Sequence, residues 1–170
     1  PGSSHSTLDW ENPDFKVTSS WKNSRSGFGF DKAGSTFSDL IKTKIATSKR
    51  CIWLRKTFRV NDLSSISALV LRIRYDDGFI ASINGTKVAE SNAPDRPRYN
   101  SYASGRNTNT QYVDFDLSEH INLLKSGNSN VLTIQAYDSR ADRSKFFIMP
   151  TLLSGKSTEF DKEKRSFLSF

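Results

Sequence analysis

Residues 69–91 constrain the fold of this chain more than any other stretch. From Leu69 to Tyr75 large apolar residues occupy every second position, which is the period-2 pattern of a strand with one buried face. Asp76-Asp77-Gly78 then supplies turn chemistry, and Asn84-Gly85 is the strongest short hairpin signal. We therefore expect three antiparallel strands, Leu69–Tyr75, Phe79–Ile83 and Thr86–Ala89, joined as a β-meander.

Four further segments have the composition of strands and are bounded by turn residues: Ile52–Val60, Tyr112–Leu117, Val131–Tyr137 and Phe146–Leu152. In the first of them Lys56 interrupts the apolar side. One helical turn is expected at Ile121–Leu124. Regularly spaced strands without a long helical periodicity predict an all-β fold, a two-sheet antiparallel β-sandwich.

A chain of 170 residues is long enough for one domain with a core and too short for two. We expect residues 1–7 to be a disordered lead, 8–153 to form the sandwich, and 154–170 to be a C-terminal extension or a linker to another module. Segment 8–39 is irregular yet carries six aromatic residues, which a disordered linker would lack. We expect it to wrap onto the sandwich, to pack Trp10 and Trp21, and to cover the strand face that carries Trp53.

The charge of the chain favours polyanionic partners. Lys and Arg number 25 against 18 Asp and Glu, a formal net charge of +7, which suits nucleic acid, an acidic or sulfated polysaccharide, or an anionic surface. No apolar run is long enough to predict a membrane span. The single cysteine, Cys51, lies in a predicted strand, where we expect a buried, unreactive thiol.

Four segments follow one another in a characteristic order: GFGF at 27–30, IWLRKTFRV at 52–60, LRIRYDDGFIASINGTKVAESN at 71–92 and DFDLSEHINLLKSGNSNVLTIQAYD at 114–138. From Trp10 to Leu153 the chain resembles the galactose-binding-like β-jelly-roll modules of secreted bacterial enzymes and surface proteins. The resemblance implies two antiparallel sheets packed face to face, no catalytic activity, and glycan binding through loops at one end. It also implies a secreted or cell-surface location beside other domains of a larger protein.

Alternating strand directions place three segments at one end of the predicted sandwich: turn 76–78, loop 92–110 and loop 138–145. The candidate ligand-binding residues on them are Asp76, Asp77, Arg96, Arg98, Tyr99, Tyr102, Arg106, Arg140 and Arg143. Arg binds carboxylate or sulfate through its planar fork, and Tyr stacks on a sugar face. The alternative is that Asp76 and Asp77 cap the turn and pair with these Arg residues, and for Asp77 capping is the favoured role.

These observations predict a non-catalytic carbohydrate-binding accessory module with a preference for acidic or sulfated polysaccharide. The alternative is a structural or protein-interaction module without a glycan ligand. No GxSxG, HExxH, P-loop or dinucleotide motif occurs, so we expect no catalysis and no cofactor. Asp76 could contribute to a structural calcium site, but no dense run of oxygen ligands supports one. Nucleic acid is a disfavoured partner because no recognised binding motif is present.

Overall fold

The computed structural model describes residues 9–139 and 144–156. The predictions for residues 1–7, for Arg140 and Arg143, and for residues 157–170 lie outside these ranges. The described chain contains nine strands: β1 Phe28–Phe30, β2 Thr43–Lys44, β3 Cys51–Arg59, β4 Ala68–Asp76, β5 Gly78–Ile83, β6 Thr86–Ser91, β7 Val113–Asp116, β8 Ser129–Tyr137 and β9 Phe146–Gly155. Short 3₁₀ helices lie at Asp9–Glu11, Ser38–Leu40, Leu63–Ser65 and Ser118–Leu123.

The strands form two sheets, as the sequence predicted. The five-stranded sheet has the order β2-β1-β9-β4-β7, and the four-stranded sheet has the order β3-β8-β5-β6. Every neighbouring pair is antiparallel except β1 with β2. The predicted all-β, two-sheet antiparallel sandwich is therefore confirmed. None of the described helices is long and apolar enough to cross a membrane.

The core lies between the sheets and follows from the alternation in the strands. Leu71, Ile73 and Phe79 are fully buried, and the Phe79 ring meets the rings of Tyr75 and Phe115 edge-on at centroid distances of 4.9 and 5.2 Å. Burial of each such side chain contributes about 1.5–3 kcal/mol to the free energy of unfolding. This burial fixes which face of each strand points inward.

The predicted β-meander is wrong. β4 lies between β9 and β7 in one sheet, whereas β5 lies between β8 and β6 in the other. Asp76-Asp77-Gly78 therefore carries the chain across from one sheet to the other and does not close a hairpin. The second predicted turn is a true hairpin: Asn84 and Gly85 have φ of 51° and 86°, and Ile83 pairs with Thr86. Turn residues predict where a chain reverses, but they do not select the strand that pairs with the next one.

The N-terminal segment wraps over the outer face of the four-stranded sheet, as expected. Trp10 is 4% exposed and stacks on Trp53 at 5.1 Å between ring centroids and on Trp21 at 5.8 Å. The Arg55 guanidinium donates hydrogen bonds to the carbonyls of Trp10, at 2.8 Å, and Pro13, at 3.2 Å. These tryptophans are packing residues, and Trp53 lies beneath the segment.

A series of hydrogen bonds between buried polar side chains connects the same segment to β8. Gln135 Nε2 donates to Glu11 Oε1 at 3.2 Å, and the Tyr137 hydroxyl donates to Gln135 Oε1. Burial raises the pKa of Glu11, and the hydrogen bond from Gln135 opposes this shift. Burial also raises the pKa of Tyr137, with a further contribution from Cys51 and Glu11. The outward face of β8 is thus buried as well as the inward one.

Candidate functional site

Three segments meet at one end of the sandwich, where the strand directions predicted them to meet. Asp77 N donates to the Tyr137 carbonyl at 3.1 Å, and Ala103 N donates to the Asp138 carbonyl at 2.9 Å. Lys145, just before β9, is the ion-pair partner of Asp76. We call the assembly of residues 50, 76–78, 92–112, 138–139 and 145 the loop end.

Asp77 is the residue that holds the loop end together. It is 2% exposed, and its two carboxylate oxygens accept hydrogen bonds from Asn107 N and Ser139 N, both at 3.0 Å. Its carbonyl accepts a further bond from Asn92 Nδ2, also at 3.0 Å. The Asp77 carboxylate therefore caps two loops of the protein, and its contact with a ligand stays a prediction.

Asp76 is buried beside it, at 3% exposure. Its carboxylate pairs with the Lys145 ammonium, which also lies 5.5 Å from the centroid of the Phe37 ring. Burial lowers the pKa of Lys145, and the nearby Asp31 carboxylate opposes this. The partner of Asp76 among the described residues is thus a lysine, where the sequence predicted arginines.

Arg96, Arg98 and Tyr99 lie on an exposed turn of the long loop. The turn is closed by the hydrogen bond from Ser101 N to the Arg98 carbonyl at 3.1 Å. Ser101 Oγ accepts from Arg98 N at 3.0 Å and donates to the Arg96 carbonyl at 3.2 Å. Tyr99 is 75% exposed. The two guanidinium groups and the phenol ring are therefore presented to solvent by a hydrogen-bonded backbone.

Tyr102 is held by a residue that the sequence reasoning missed. Arg50 Nε donates to the Tyr102 hydroxyl at 3.1 Å, and the Arg50 guanidinium lies 5.8 Å from the centroid of the same ring. Arg50 reaches this end because its carbonyl accepts from Asp138 N at 2.9 Å, next to the pairing of Cys51 with Tyr137. Only the pairing of β3 with β8 could have placed it there.

A cleft of about 630 Å³ opens at the loop end. Its lining residues are Pro94, Asn100, Ser101, Tyr102, Ala103, Ser104, Gly105, Arg106 and Ser139. Ser139 is the one buried residue among them, at 3% exposure, and its Oγ has no hydrogen-bond partner in the described part of the chain. Neighbouring atoms cover this oxygen, so a ligand in the cleft would reach it only where these atoms move. The bond would then remove the cost of a buried hydroxyl without a partner, about 1–3 kcal/mol.

The predicted site residues divide into groups. Tyr102 and Arg106 line the cleft, and Arg96, Arg98 and Tyr99 lie on the same loop outside its lining. Asp76 and Asp77 are not lining residues either, although Asp77 accepts a hydrogen bond from the lining residue Ser139. Arg140 and Arg143 lie outside the described residues. Ser139 was missed because the depth of a serine is a tertiary property that no local pattern carries.

The chemistry of the remaining groups is limited. Within residues 9–139 and 144–156, no group of three or more His, Cys, Asp and Glu side chains is placed to hold a metal ion. Burial raises the pKa of the Cys51 thiol to about 12, and a hydrogen bond with Trp53 opposes this shift. At neutral pH the thiol is therefore protonated and a poor nucleophile.

Comparison with known proteins gives no family. No family model matches the chain, and no curated protein matches it. Among solved structures it is similar to an α-L-rhamnosidase from Aspergillus terreus, at 22% identity and a TM-score of 0.42 over 64% of this chain and 13% of the enzyme.

Two more solved structures are similar to a comparable extent. A β-glucuronidase from Bacteroides uniformis matches at 15% identity and a TM-score of 0.38, over 59% of this chain and 12% of the enzyme. A glycosyl hydrolase family 2 member from Bacteroides cellulosilyticus matches at 12% identity and a TM-score of 0.36, over 60% of this chain and 13% of that protein. The chain thus spans a small part of each of these enzymes.

Proposed function

We propose that this chain is a non-catalytic carbohydrate-binding module and that it binds an acidic or sulfated polysaccharide at the loop end. The observation that supports this most is the loop-end cleft. It combines the buried hydroxyl of Ser139, which has no hydrogen-bond partner among residues 9–139 and 144–156, with the side chains of Tyr102 and Arg106. A sugar hydroxyl bound to Ser139 would relieve its unmet hydrogen bond.

The exposed side chains beside the cleft supply the selectivity for anions. Arg96, Arg98 and Arg106 are all exposed, and a guanidinium fork binds a uronate or sulfate group bidentately. The exposed Tyr99 ring offers a flat surface to a sugar face. Because hydrogen bonds to Asp77 and Ser101 hold the loop in place, little ordering of the backbone would oppose binding.

Under this proposal the module works outside the cell, as an accessory to other domains of a larger protein. Its task is to keep that protein on a polysaccharide, and it contributes no reaction step. A charged polymer whose repeating units each carry one acidic group matches a site with several arginines better than a neutral sugar does.

The test is binding of the full chain to a panel of polysaccharides by affinity electrophoresis or biolayer interferometry, at low and at high salt. The panel contains polygalacturonate, chondroitin sulfate, a neutral galactan and, as a charge control, single-stranded DNA. We expect one acidic glycan to be retained at high salt, where non-specific polyanion binding is screened.

Two results would contradict the proposal. Equal retention of every polyanion, lost together on raising the salt, would reduce the arginines to a general electrostatic surface. If no member of the panel binds, the chain is better explained as a structural or protein-interaction module.

A further inference from the structure

A second cleft, of about 590 Å³, opens between the edges of the two sheets. We call it the edge cleft. One wall is built by β3 and β8 and the other by β1, β4 and β9. Its apolar lining includes Leu54, Phe58, Leu132 and Ile134 on the first wall and Phe28, Leu69, Pro150 and Leu152 on the second.

The depth of the edge cleft restricts what can occupy it. Its lining includes Leu69 and Ile134, which are both 1% exposed and belong to the core between the sheets. A peptide strand could pair with β3, the outermost strand of its sheet, but deeper between the sheets its backbone amides would have no partners, at a large cost. An unbranched hydrocarbon chain carries no polar groups and meets no such penalty.

The charged residues of the edge cleft are all basic. They are Lys22, Arg55, Lys56 and Arg59, and no Asp or Glu of the described chain lines the cleft. Arg55 donates to backbone carbonyls of the N-terminal segment, whereas Lys22, Lys56 and Arg59 are exposed. Lys56 shares the inward alternation of Leu54 and Phe58, so the charge that interrupts the apolar side of β3 belongs to this cleft.

We propose that the edge cleft binds a long-chain fatty acid, with the hydrocarbon chain between the sheets and the carboxylate beside Lys56. Lys22 and Arg59 add positive charge at the mouth. The volume lies within the range of about 300–1,000 Å³ that is usual for small-molecule sites. A neighbouring cleft of about 790 Å³ shares Trp21, Phe28 and Leu54 with it, so the two clefts adjoin. This site is separate from the loop end and does not depend on glycan binding there.

Intrinsic fluorescence provides the test, because Trp21 and Trp53 line the edge cleft. The full chain is titrated with sodium oleate below its micelle concentration, and the affinity is checked by calorimetry. We expect saturable binding of one oleate per chain. Octanoate has fewer methylene groups to bury and oleyl alcohol lacks the charge, so each is expected to bind at least about tenfold more weakly.

Two variants locate the site. The triple substitution Lys22→Gln, Lys56→Gln and Arg59→Gln is expected to lower the affinity for oleate about tenfold and to leave the affinity for oleyl alcohol unchanged. The control is Lys32→Gln, which replaces an exposed lysine outside the cleft and should change neither affinity. Leu152→Trp fills the cleft and should abolish binding of both, with its thermal unfolding recorded beside the natural chain.

The proposal is overturned if oleate does not bind, or if oleyl alcohol binds as tightly as oleate. It is also overturned if the triple variant and Lys32→Gln lose affinity equally. The three residues substituted in the triple variant are exposed, so this variant should fold. Its affinity can therefore be measured even if Leu152→Trp unfolds.

Discussion

At the scale of single residues, the buried ionisable groups serve the fold more than the candidate site. Asp77 and Asp76 both sit under the loop end, where one caps two backbone amides and the other pairs with Lys145. Glu11 is the third such case. It is 7% exposed and accepts a hydrogen bond from Gln135, which fixes the N-terminal segment on β8.

Glu11→Gln tests the cost of burying that charge. Burial raises the pKa of Glu11 above its ordinary 4.5, so the folded chain holds the proton more tightly than the unfolded chain. Ionisation of Glu11 above its folded-state pKa therefore lowers stability. We predict that Glu11→Gln increases the free energy of unfolding at neutral pH and that this gain disappears below pH 4.5.

Urea denaturation at several pH values measures this difference. The exposed Glu119 supplies the control, since Glu119→Gln removes a carboxylate that is 82% exposed. A gain for Glu11→Gln that is the same at all pH values would show that ionisation of the carboxylate is not its cause.

At the scale of secondary-structure elements, the N-terminal segment is an integral part of the sandwich although it has almost no regular structure. Its aromatic rings replace the strand that would otherwise cover the outer face of β3 and β8. Trp10 is stacked on two other tryptophans, and its carbonyl accepts a hydrogen bond from Arg55 at 2.8 Å. Removal of this ring should therefore expose β8.

We predict that Trp10→Ala lowers the free energy of unfolding by about 3–5 kcal/mol. Trp21→Ala should cost less, because Trp21 is only partly buried. Chemical denaturation of both variants followed by far-ultraviolet circular dichroism measures the two values. Equal small losses would mean that the segment is a loosely attached surface loop.

The elements also show where sequence reasoning succeeds and where it fails. Local sequence pattern located β3, β4, β5 and β8: apolar residues alternate in β3 and β4, and β5 and β8 are strand-like segments between turn residues. It did not predict that β4 and β5 belong to different sheets, because the residues of a strand do not determine which other strand pairs with it. The convergence at the loop end was nevertheless predicted, since β4 ends and β5 begins there in either arrangement.

The candidate site was predicted in part for the same reason. Arg96, Arg98, Tyr99, Tyr102 and Arg106 share one loop, so their proximity is fixed by the chain itself. Arg50 comes to the site through the pairing of β3 with β8, which is tertiary information. Ser139 lies on loop 138–145, which the strand directions placed at this end, but its burial beside Asp77 was not predicted. The edge cleft had one local signal, the lysine at position 56 in an apolar series, and its meaning depended on where the sheets separate.

At the scale of the whole molecule, exposed basic side chains line two distinct surfaces, and others such as Arg25 and Lys32 belong to neither. The loop end presents arginines beside a cleft that contains a buried hydroxyl, and the edge cleft presents two lysines and an arginine beside an apolar channel. Under the two proposals each surface binds an anion, the first with hydrogen bonds and the second with hydrophobic burial.

The central claim is that an acidic glycan binds in the loop-end cleft, and calorimetry of Ser139→Ala with the glycan retained best at high salt tests it most directly. The Ser139 hydroxyl has no partner in the described part of the chain, so this variant should unfold no more easily than the natural chain. We predict that it nevertheless binds the glycan about tenfold more weakly.

Arg106→Gln should lower the affinity for the glycan by a similar factor. The control Arg25→Gln replaces an exposed arginine away from the loop end and should leave the affinity unchanged. Unchanged affinity in both Ser139→Ala and Arg106→Gln would contradict the account and place glycan binding elsewhere on the molecule.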